Sequence, residues 1–237
     1  MENGRPGRIL AIGDIHGCVH ALDVLLGALN PCMLDRVVVL GDFIDQGHDT
    51  RDVIDRLLEL KETCHLICLT GNHEEMLLAA LSSPQARRYW ENCGGIATLD
   101  SYRFGASLDV IPTDHLDFIR DCRDYCEMDG FIFVHASFDP DLPMPGQPVQ
   151  LLRWGLLDEE EARCHFSGNT VVVGHTEQTS GEILDLGCIK CIDTACWRYG
   201  WLTALEMNTG ELWQASRFGA VRGPDDRPVG PVGQRRP

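Results

Sequence analysis

Short apolar runs alternate with helical patterns along the first part of the chain. The runs at residues 8–13, 36–40 and 65–70 are too short for surface helices, and they predict strands buried on both faces. Between them, apolar side chains recur every three or four residues at 19–29 and 50–60, which predicts two amphipathic helices. The first three of these elements predict a parallel β-α-β unit with a right-handed crossover.

The pattern changes after residue 75. From there to about residue 129, helical and loop patterns predict a helical insertion over the rim of the sheet. Strand patterns return at 131–134 and 170–173. Four further segments predict hairpins of a second sheet: residues 182–186, 188–193, 200–207 and 211–214, with Asn208-Thr209-Gly210 as a turn.

The final segment, residues 217–237, is rich in Gly, Pro and Arg. Such a composition buries little surface, which predicts a flexible tail. Residues 1–216 are therefore predicted to form one α/β domain, with two sheets packed face to face and helices outside.

Polar side chains follow five of the predicted strands. Taken singly, each has an ordinary explanation, such as a turn former, a helix cap or a hydrogen-bonded core residue. Because the carboxyl ends of parallel strands meet at one edge of a sheet, we expect these side chains to lie together. The candidates are Asp14 with His16, Asp42, Asn72, His135 and His175.

Imidazole, carboxylate and amide ligands without a thiolate suit manganese, iron or zinc in an open site. Six side chains exceed the needs of one metal ion that keeps an open position, so the set predicts two ions sharing a carboxylate. Paired divalent ions are suited to in-line displacement at phosphorus, because they hold a bridging hydroxide and neutralise phosphoryl oxygens.

Composition and charge narrow the class of partner. The 237-residue chain is 44% hydrophobic and 24% charged, as expected for a globular protein. Its net charge of −16 argues against a nucleic-acid partner or an anionic membrane, and no apolar run reaches the length of about 18 residues that a membrane helix needs. An acidic protein that binds phosphate must offset its own field locally, and bound cations would do so.

The eleven cysteines show no secreted-framework spacing, and the amino terminus lacks the apolar core of a signal peptide. These features predict a cytoplasmic protein with mostly free thiols. Cys188 and Cys191 form a CxxC in a strand-like run, and burial as small hydrophobic residues is favoured over a redox or zinc role.

Several blocks along the chain resemble the signature motifs of the phosphoprotein phosphatase family of metallophosphoesterases, in its compact bacterial and bacteriophage-lambda branch. The blocks are GDIHG at 13–17, GDFIDQG at 41–47, GNHE at 71–74, His135 and GHT at 174–176, with YWENCGG at 89–95 and IDTACWRYGWLTALE at 192–206. The resemblance implies a β-sandwich of two mixed sheets flanked by helices, with a helical insertion after the third strand.

The resemblance also implies a role for each matching residue. Asp14, His16 and Asp42 would hold one metal ion, and Asp42, Asn72, His135 and His175 the second. The expected ions are Mn2+, with iron or zinc as alternatives. His73 would protonate the leaving group, oriented by Asp45, and a positioned imidazolium is what a poor alkoxide leaving group requires.

The sequence departs from the family pattern at three positions where an arginine is usual, which are Gln46, Thr70 and Leu156. Guanidinium groups grip phosphate oxygens in pairs, and a glutamine offers a neutral amide instead. The candidates for phosphate binding are therefore Asn72, Gln46 and Arg153, although for Arg153 the role of an ordinary surface arginine is favoured.

The predicted function is a phosphoserine or phosphothreonine protein phosphatase, acting on a phosphorylated protein or a small phosphoester. One alternative is a hydrolase of dinucleoside polyphosphates such as diadenosine tetraphosphate, which has the same fold and metal site. Another is a non-catalytic module that binds metal and phosphate, to which the loss of arginines would point.

Overall fold

A computed structural model describes residues 7–105 and 107–226 of the chain. Its first five elements are β1 (Ile9–Ile12), α1 (Val19–Leu29), β2 (Arg36–Val39), α2 (Thr50–Lys61) and β3 (His65–Cys68). The three strands pair in parallel in the order of the sequence. The predicted alternation of strands and helices is confirmed, with element ends within two residues of the predicted ones.

The insertion after β3 is mainly helical, as predicted. It contains α3 (Asn72–Ala80), α4 (Pro84–Trp90), α5 (Ile96–Tyr102) and α6 (Thr113–Arg120), with a π-helical turn at Glu91–Gly95 joining α4 to α5. Gly94 breaks the helical path inside that turn with φ of 114°, which only glycine adopts readily.

The second sheet contains a strand that the sequence pattern did not predict. Its strands are β4 (Tyr125–Met128), β5 (Phe131–Val134), β6 (Thr170–Val173), β7 (Leu184–Asp185) and β8 (Ile189–Cys191), in the order β4-β5-β6-β8-β7. Residues of β4 lie inside the segment predicted as helical insertion. β4 is an antiparallel edge strand with only Cys126 fully buried, so it lacks the long apolar run of a central strand. The helix α7 (Val149–Trp154) was also not predicted.

The prediction that the last hairpins belong to the second sheet is wrong for two of them. β9 (Asp193–Thr194), β10 (Trp201–Glu206) and β11 (Leu212–Ala215) join the first sheet, where β10 runs antiparallel to β1. All of β10 except its first residue is buried, because this strand lies beside β1 in the middle of the sheet. Local strand patterns do not specify the sheet in which a strand pairs.

The segment predicted as a tail begins with ordered structure. β12 (Val221–Arg222) pairs with β11 and extends the first sheet by one strand. Residues 227–237 lie outside the described part of the chain, so the predicted flexibility of that part stays a prediction.

The two sheets pack face to face, and period-two alternation explains their uniformly apolar strands. Ile9 and Ala11 of β1 contact the second sheet, including Phe133, whereas Leu10 and Ile12 pack with the helices on the other side. β1 therefore buries both faces, which fixes its carboxyl end between two covered layers. The predicted fold class, two mixed sheets flanked by helices, is confirmed.

The cysteine prediction holds in part. Nine cysteines are free, and Cys191 is fully buried as predicted. Cys188, however, forms a disulfide with Cys164, which lies in the loop before β6. The interpretation of Cys188 as a simple buried hydrophobic residue is therefore wrong, because a loop 24 residues away returns beside it. Within the described residues, no helix combines the length and apolarity needed to cross a bilayer.

Candidate metal centre

The loops that follow β1, β2, β3, β5 and β6 converge at one edge of the sandwich, and their backbones are unusual. Five residues other than glycine have left-handed φ between 45° and 68°: His16, Asp42, Asp45, Gln46 and His175. Such conformations are uncommon outside glycine and persist only where the surrounding structure enforces them, which is typical of functional sites.

Asp42 lies between two groups of candidate ligands. Its Oδ2 is 3.7 Å from His16 Nε2, and its Oδ1 is 3.4 Å from His135 Nε2. Each carboxylate oxygen therefore faces a different imidazole, which is the arrangement of a carboxylate bridging two cations. The loop after β3 can approach Asp42 closely because it has glycine at position 71. A Cβ at Gly71 would lie 2.1 Å from Asp42 Oδ1.

The second group contains electron donors that face one another. Asn72 Oδ1 lies 3.1 Å from His135 Nε2, from His175 Nδ1 and from Asp42 Oδ2. Lone pairs on four atoms thus point into one space, an arrangement that a bound cation stabilises. Either orientation of the Asn72 amide leaves it at the centre of this group.

Backbone carbonyls orient the imidazole rings. His16 Nδ1 lies 3.0 Å from the Ile44 carbonyl oxygen, and His135 Nδ1 lies 2.8 Å from that of Leu40. Each ring therefore holds its proton on Nδ1 and presents the lone pair of Nε2 to the site, which is the usual outer-shell support of a metal-binding histidine. The His175 ring has a backbone hydrogen bond with Trp154, and it presents Nδ1 rather than Nε2 to the site.

Asp14 is held beside His175 at the edge of the same site. Its carboxylate accepts hydrogen bonds from the His175 backbone N–H at 3.1 and 3.3 Å. Gly174 permits this approach, since a Cβ there would lie 2.1 Å from Asp14 Oδ1. All six ligand candidates predicted from the sequence are thus brought together at this edge of the fold.

His73 begins α3 and faces the site with its ring tied to Asp45. Its Nδ1 lies 2.8 Å from Asp45 Oδ2, and its ring centroid lies 4.8 Å from that of His16. Burial would lower the pKa of His73, but the carboxylates of Asp42 and Asp45 outweigh burial and raise it to about 9. The imidazole is therefore protonated at neutral pH, with Nε2–H available to a ligand.

The site residues and the fold are those of a known protein family. A sequence profile for calcineurin-like phosphoesterases matches residues 7–187. The chain belongs to the calcineurin-like phosphoesterase family. Two groups that share Asp42 are consistent with a dinuclear metal site: His16, Asp42 and His73 form one, and Asp42, His135 and His175 form the other.

Similar proteins divide between two substrate classes. A symmetrical bis(5'-nucleosyl)-tetraphosphatase of Pseudomonas putida strain W619 is 27% identical over 169 residues, covering 67% of this chain and 52% of that protein. Serine/threonine-protein phosphatase 1 of Salmonella typhimurium strain LT2 is 29% identical over 136 residues, covering 55% of this chain and 59% of that protein. The chain spans about half the length of the curated relatives it matches.

A solved structure with the provisional name diadenosine tetraphosphatase has a TM-score of 0.67 and 20% identity, covering 90% of this chain and 94% of that chain. The phosphoesterase fold of two mixed sheets is therefore shared over nearly all of both chains. The resemblance to phosphoprotein phosphatases holds at the level of this wider family, to which both classes of relative belong.

The donor set at this site fits divalent cations. Burial lowers the pKa of His16 and His135 to about 4, so both rings are neutral and have a free lone pair. Burial, together with Asp193 and Asp42, raises the pKa of Asp14 well above its usual value. Carboxylates that repel one another in a buried space are what a bound cation would neutralise.

Glu74, which sequence reasoning did not single out, fixes the loop that carries Asp42. Its carboxylate accepts hydrogen bonds from the backbone N–H groups of Asp42, Phe43 and Gly71 at 2.9 to 3.0 Å. The side chain is fully buried, so these bonds replace its hydration. The GNHE block contained this residue, but no local pattern indicated which loop its carboxylate would bind.

The helical insertion supplies the groups that hold Asp45, and these were also missed. Trp90 Nε1 donates to Asp45 Oδ2 at 2.8 Å, and Thr98 Oγ1 donates to Asp45 Oδ1 at 2.6 Å. Both side chains are buried, with Trp90 at the end of α4 and Thr98 in α5. The insertion, predicted only as a cover over the rim, thus fixes the partner of His73.

The candidate phosphate ligands other than Asn72 have protein partners. Gln46 Nε2 donates to the Cys93 carbonyl at 3.0 Å, in the π-helical turn. Arg153 forms ion pairs with Asp124 at 2.6 Å and with Glu75 at 3.2 Å. Its guanidinium therefore links α7, α3 and the start of β4, and the predicted role of Arg153 in phosphate binding stays a prediction.

Proposed function

We propose that the dinuclear site cleaves a phosphate ester or anhydride, with His73 donating a proton to the departing oxygen. The support is geometric: His73 Nδ1 is held by Asp45 at 2.8 Å, which directs the opposite nitrogen of the ring away from Asp45. Asp45 in turn is fixed by Trp90 and Thr98, so the acid is oriented before substrate binds.

The proposed metal ligands take His16, Asp42, His135 and His175 from the two groups that share Asp42, and they add Asp14 and Asn72 from the family resemblance. Asp14, His16 and Asp42 would hold one ion, and Asp42, Asn72, His135 and His175 the other. Two divalent ions at these positions, most simply Mn2+, supply activation of water and neutralise charge on the phosphoryl oxygens. The protein contributes fixed imidazole tautomers and a carboxylate already shared between the two groups.

The preferred substrate that we infer is a dinucleoside polyphosphate, cleaved symmetrically. The observation that carries this inference is Gln46. A phosphomonoester dianion has three terminal oxygens and nearly two negative charges, and a guanidinium suits it. An internal phosphate of a dinucleoside tetraphosphate carries one charge, which a neutral amide at Gln46 matches better. The symmetrical tetraphosphatase among the relatives supports the same choice.

Competing substrates test this inference. With purified manganese-loaded enzyme, we expect a higher kcat/KM for diadenosine tetraphosphate than for a phosphoserine peptide, with ADP as the nucleotide product on chromatography. A higher kcat/KM for the phosphopeptide would refute the inference and favour a protein phosphatase, for which the Salmonella relative is the argument. Failure to hydrolyse diadenosine tetraphosphate, the phosphopeptide and para-nitrophenyl phosphate above a metal-buffer control would favour a non-catalytic module.

The substitution Gln46→Arg tests the charge argument itself. We expect it to lower KM for para-nitrophenyl phosphate and to leave KM for diadenosine tetraphosphate unchanged or higher, because a guanidinium favours the dianion. Gln46→Glu is the control of opposite sign, and it should raise both KM values. An unchanged KM for para-nitrophenyl phosphate in Gln46→Arg would contradict the argument.

A further inference from the structure

A cavity of about 620 Å³ adjoins the metal centre on the side of His16. It lies among the turns that follow β9 and β11 and the loops that follow β1 and β2. Trp197 in its wall has a ring centroid 6.3 Å from that of His16, and Cys18 in the same wall donates to the His16 carbonyl. A ligand bound at the metal centre can therefore extend into this cavity.

The cavity is lined by two arginines, in a chain whose net charge is −16. Arg198 is neutralised by an ion pair with Glu177 at 3.0 Å. Arg217 instead donates to the backbone carbonyls of Trp197 and Arg198, and it forms no ion pair within residues 7–105 and 107–226. Its positive charge therefore remains available to an anionic ligand, with Asp49 as the carboxylate in the lining.

Exposed aromatic rings stand beside these cations. Tyr199 is 92% exposed and Phe218 is 73% exposed, and both line the cavity. The Arg217 guanidinium lies 5.1 Å from the Phe218 ring centroid, so charge and ring face occur together. Exposed rings next to a guanidinium are what a planar base linked to phosphate requires.

We propose that this cavity binds the nucleoside and its adjoining phosphate on one side of the scissile bond. Arg217 contacts phosphate oxygens, and Tyr199 or Phe218 stacks on the base. The proposal rests on the proposed function, because the attacked phosphorus would lie at the metal centre. Gln46 lines the same cavity, so its neutral amide and the Arg217 guanidinium face one ligand site.

Binding measurements separate the two parts of the proposal. Calorimetry on the metal-loaded protein gives Kd for ADP and for pyrophosphate. We expect Arg217→Gln to raise both Kd values about tenfold. Tyr199→Ala should raise the Kd of ADP about tenfold and leave that of pyrophosphate unchanged. The matched controls are Arg163→Gln, which breaks an exposed ion pair with Asp141, and Phe104→Ala, at a ring 88% exposed outside the cavity.

Each outcome decides the proposal. If Arg217→Gln and Tyr199→Ala bind ADP as the controls do, the cavity assignment is overturned. If Tyr199→Ala and Phe218→Ala both leave ADP binding unchanged while Arg217→Gln weakens it, the stacking of the base is overturned. If the wild-type protein prefers a phosphopeptide but ADP binding still depends on Arg217 and Tyr199, the proposed substrate fails and the cavity assignment stands.

Discussion

The substitution Thr98→Val tests whether the helical insertion orients the proposed acid. Thr98 Oγ1 donates to Asp45 Oδ1 at 2.6 Å in a fully buried setting, and valine keeps the shape of the side chain without the hydroxyl. A hydrogen bond to a charged group contributes about 1.5–3 kcal/mol. Trp90 and His73 still hold Oδ2, so we take the lower value, which corresponds to about a tenfold loss in kcat.

The loss should depend on the leaving group. Phenyl phosphate expels a phenolate that benefits from protonation, whereas para-nitrophenyl phosphate expels one that needs little. We expect kcat to fall about tenfold with phenyl phosphate and less than about threefold with para-nitrophenyl phosphate. The measurement is steady-state kinetics on both esters with the same manganese-loaded preparation.

Thr50→Val is the matched control. Thr50 Oγ1 accepts from the Asp45 backbone N–H but does not contact its carboxylate, and Thr98 Oγ1 remains a second acceptor for that N–H. The control should lose stability to a similar degree and keep the same ratio of kcat values for the two esters. An equal loss on both esters in Thr98→Val, or the same ratio change in Thr50→Val, would refute the reasoning.

Three further predictions concern the acid, the bridge and the opposite end of the sheet. In His73→Asn, elemental analysis should still find both metal ions. The kcat for phenyl phosphate should fall far more than the kcat for diadenosine tetraphosphate, because the phosphate leaving group of the latter is a weak base. Equal losses of kcat on the two substrates would exclude the acid role. Asp42→Asn should reduce bound metal at both positions and abolish turnover, and two full sites with activity intact would contradict the bridge. Asp35→Asn should destabilise the fold without changing KM. Burial opposes ionisation of Asp35, but Arg8 outweighs burial and lowers the pKa of Asp35 to about 2. At pH values above the pKa of about 4 in the unfolded chain, the ionised form therefore stabilises the fold by about 2–3 kcal/mol. This contribution is lost as the pH falls toward 2. Wild-type denaturation should show that loss in acid, and a variant with unchanged stability at pH 7 would disprove it.

The elements from β1 to β3 were predictable because short-range periodicity was decisive there. Residues 37–40 are apolar on both faces, and the structure buries one face against the second sheet and the other against helices. The edge strand β4 was not predictable in the same way, since only one of its four residues is fully buried. Likewise, the sequence pattern predicted β10 and β11 as strands. The pairing of β10 with β1, and of β11 with β10, depends on the path of the chain and not on local pattern.

The metal ligands were predictable for a topological reason. Parallel strands deliver the residues that follow them to one edge, so Asp42, His135 and their partners could be grouped before any distance was known. The groups that orient these ligands and the proposed acid were not predictable from the sequence. Glu74 binds a loop 30 or more residues away, and Thr98 reaches Asp45 across 53 residues.

The sequence by itself determined the ligand types, their common edge of the sheet, and the pairing of His73 with Asp45 through a family resemblance. Only the tertiary structure decided that the insertion orients Asp45, that Cys164 meets Cys188, and that Arg217 and Trp197 line one cavity. The physical reason is the range of the interactions involved. Periodicity and turn chemistry act over a few residues, whereas these contacts form only after distant segments have packed onto the same core.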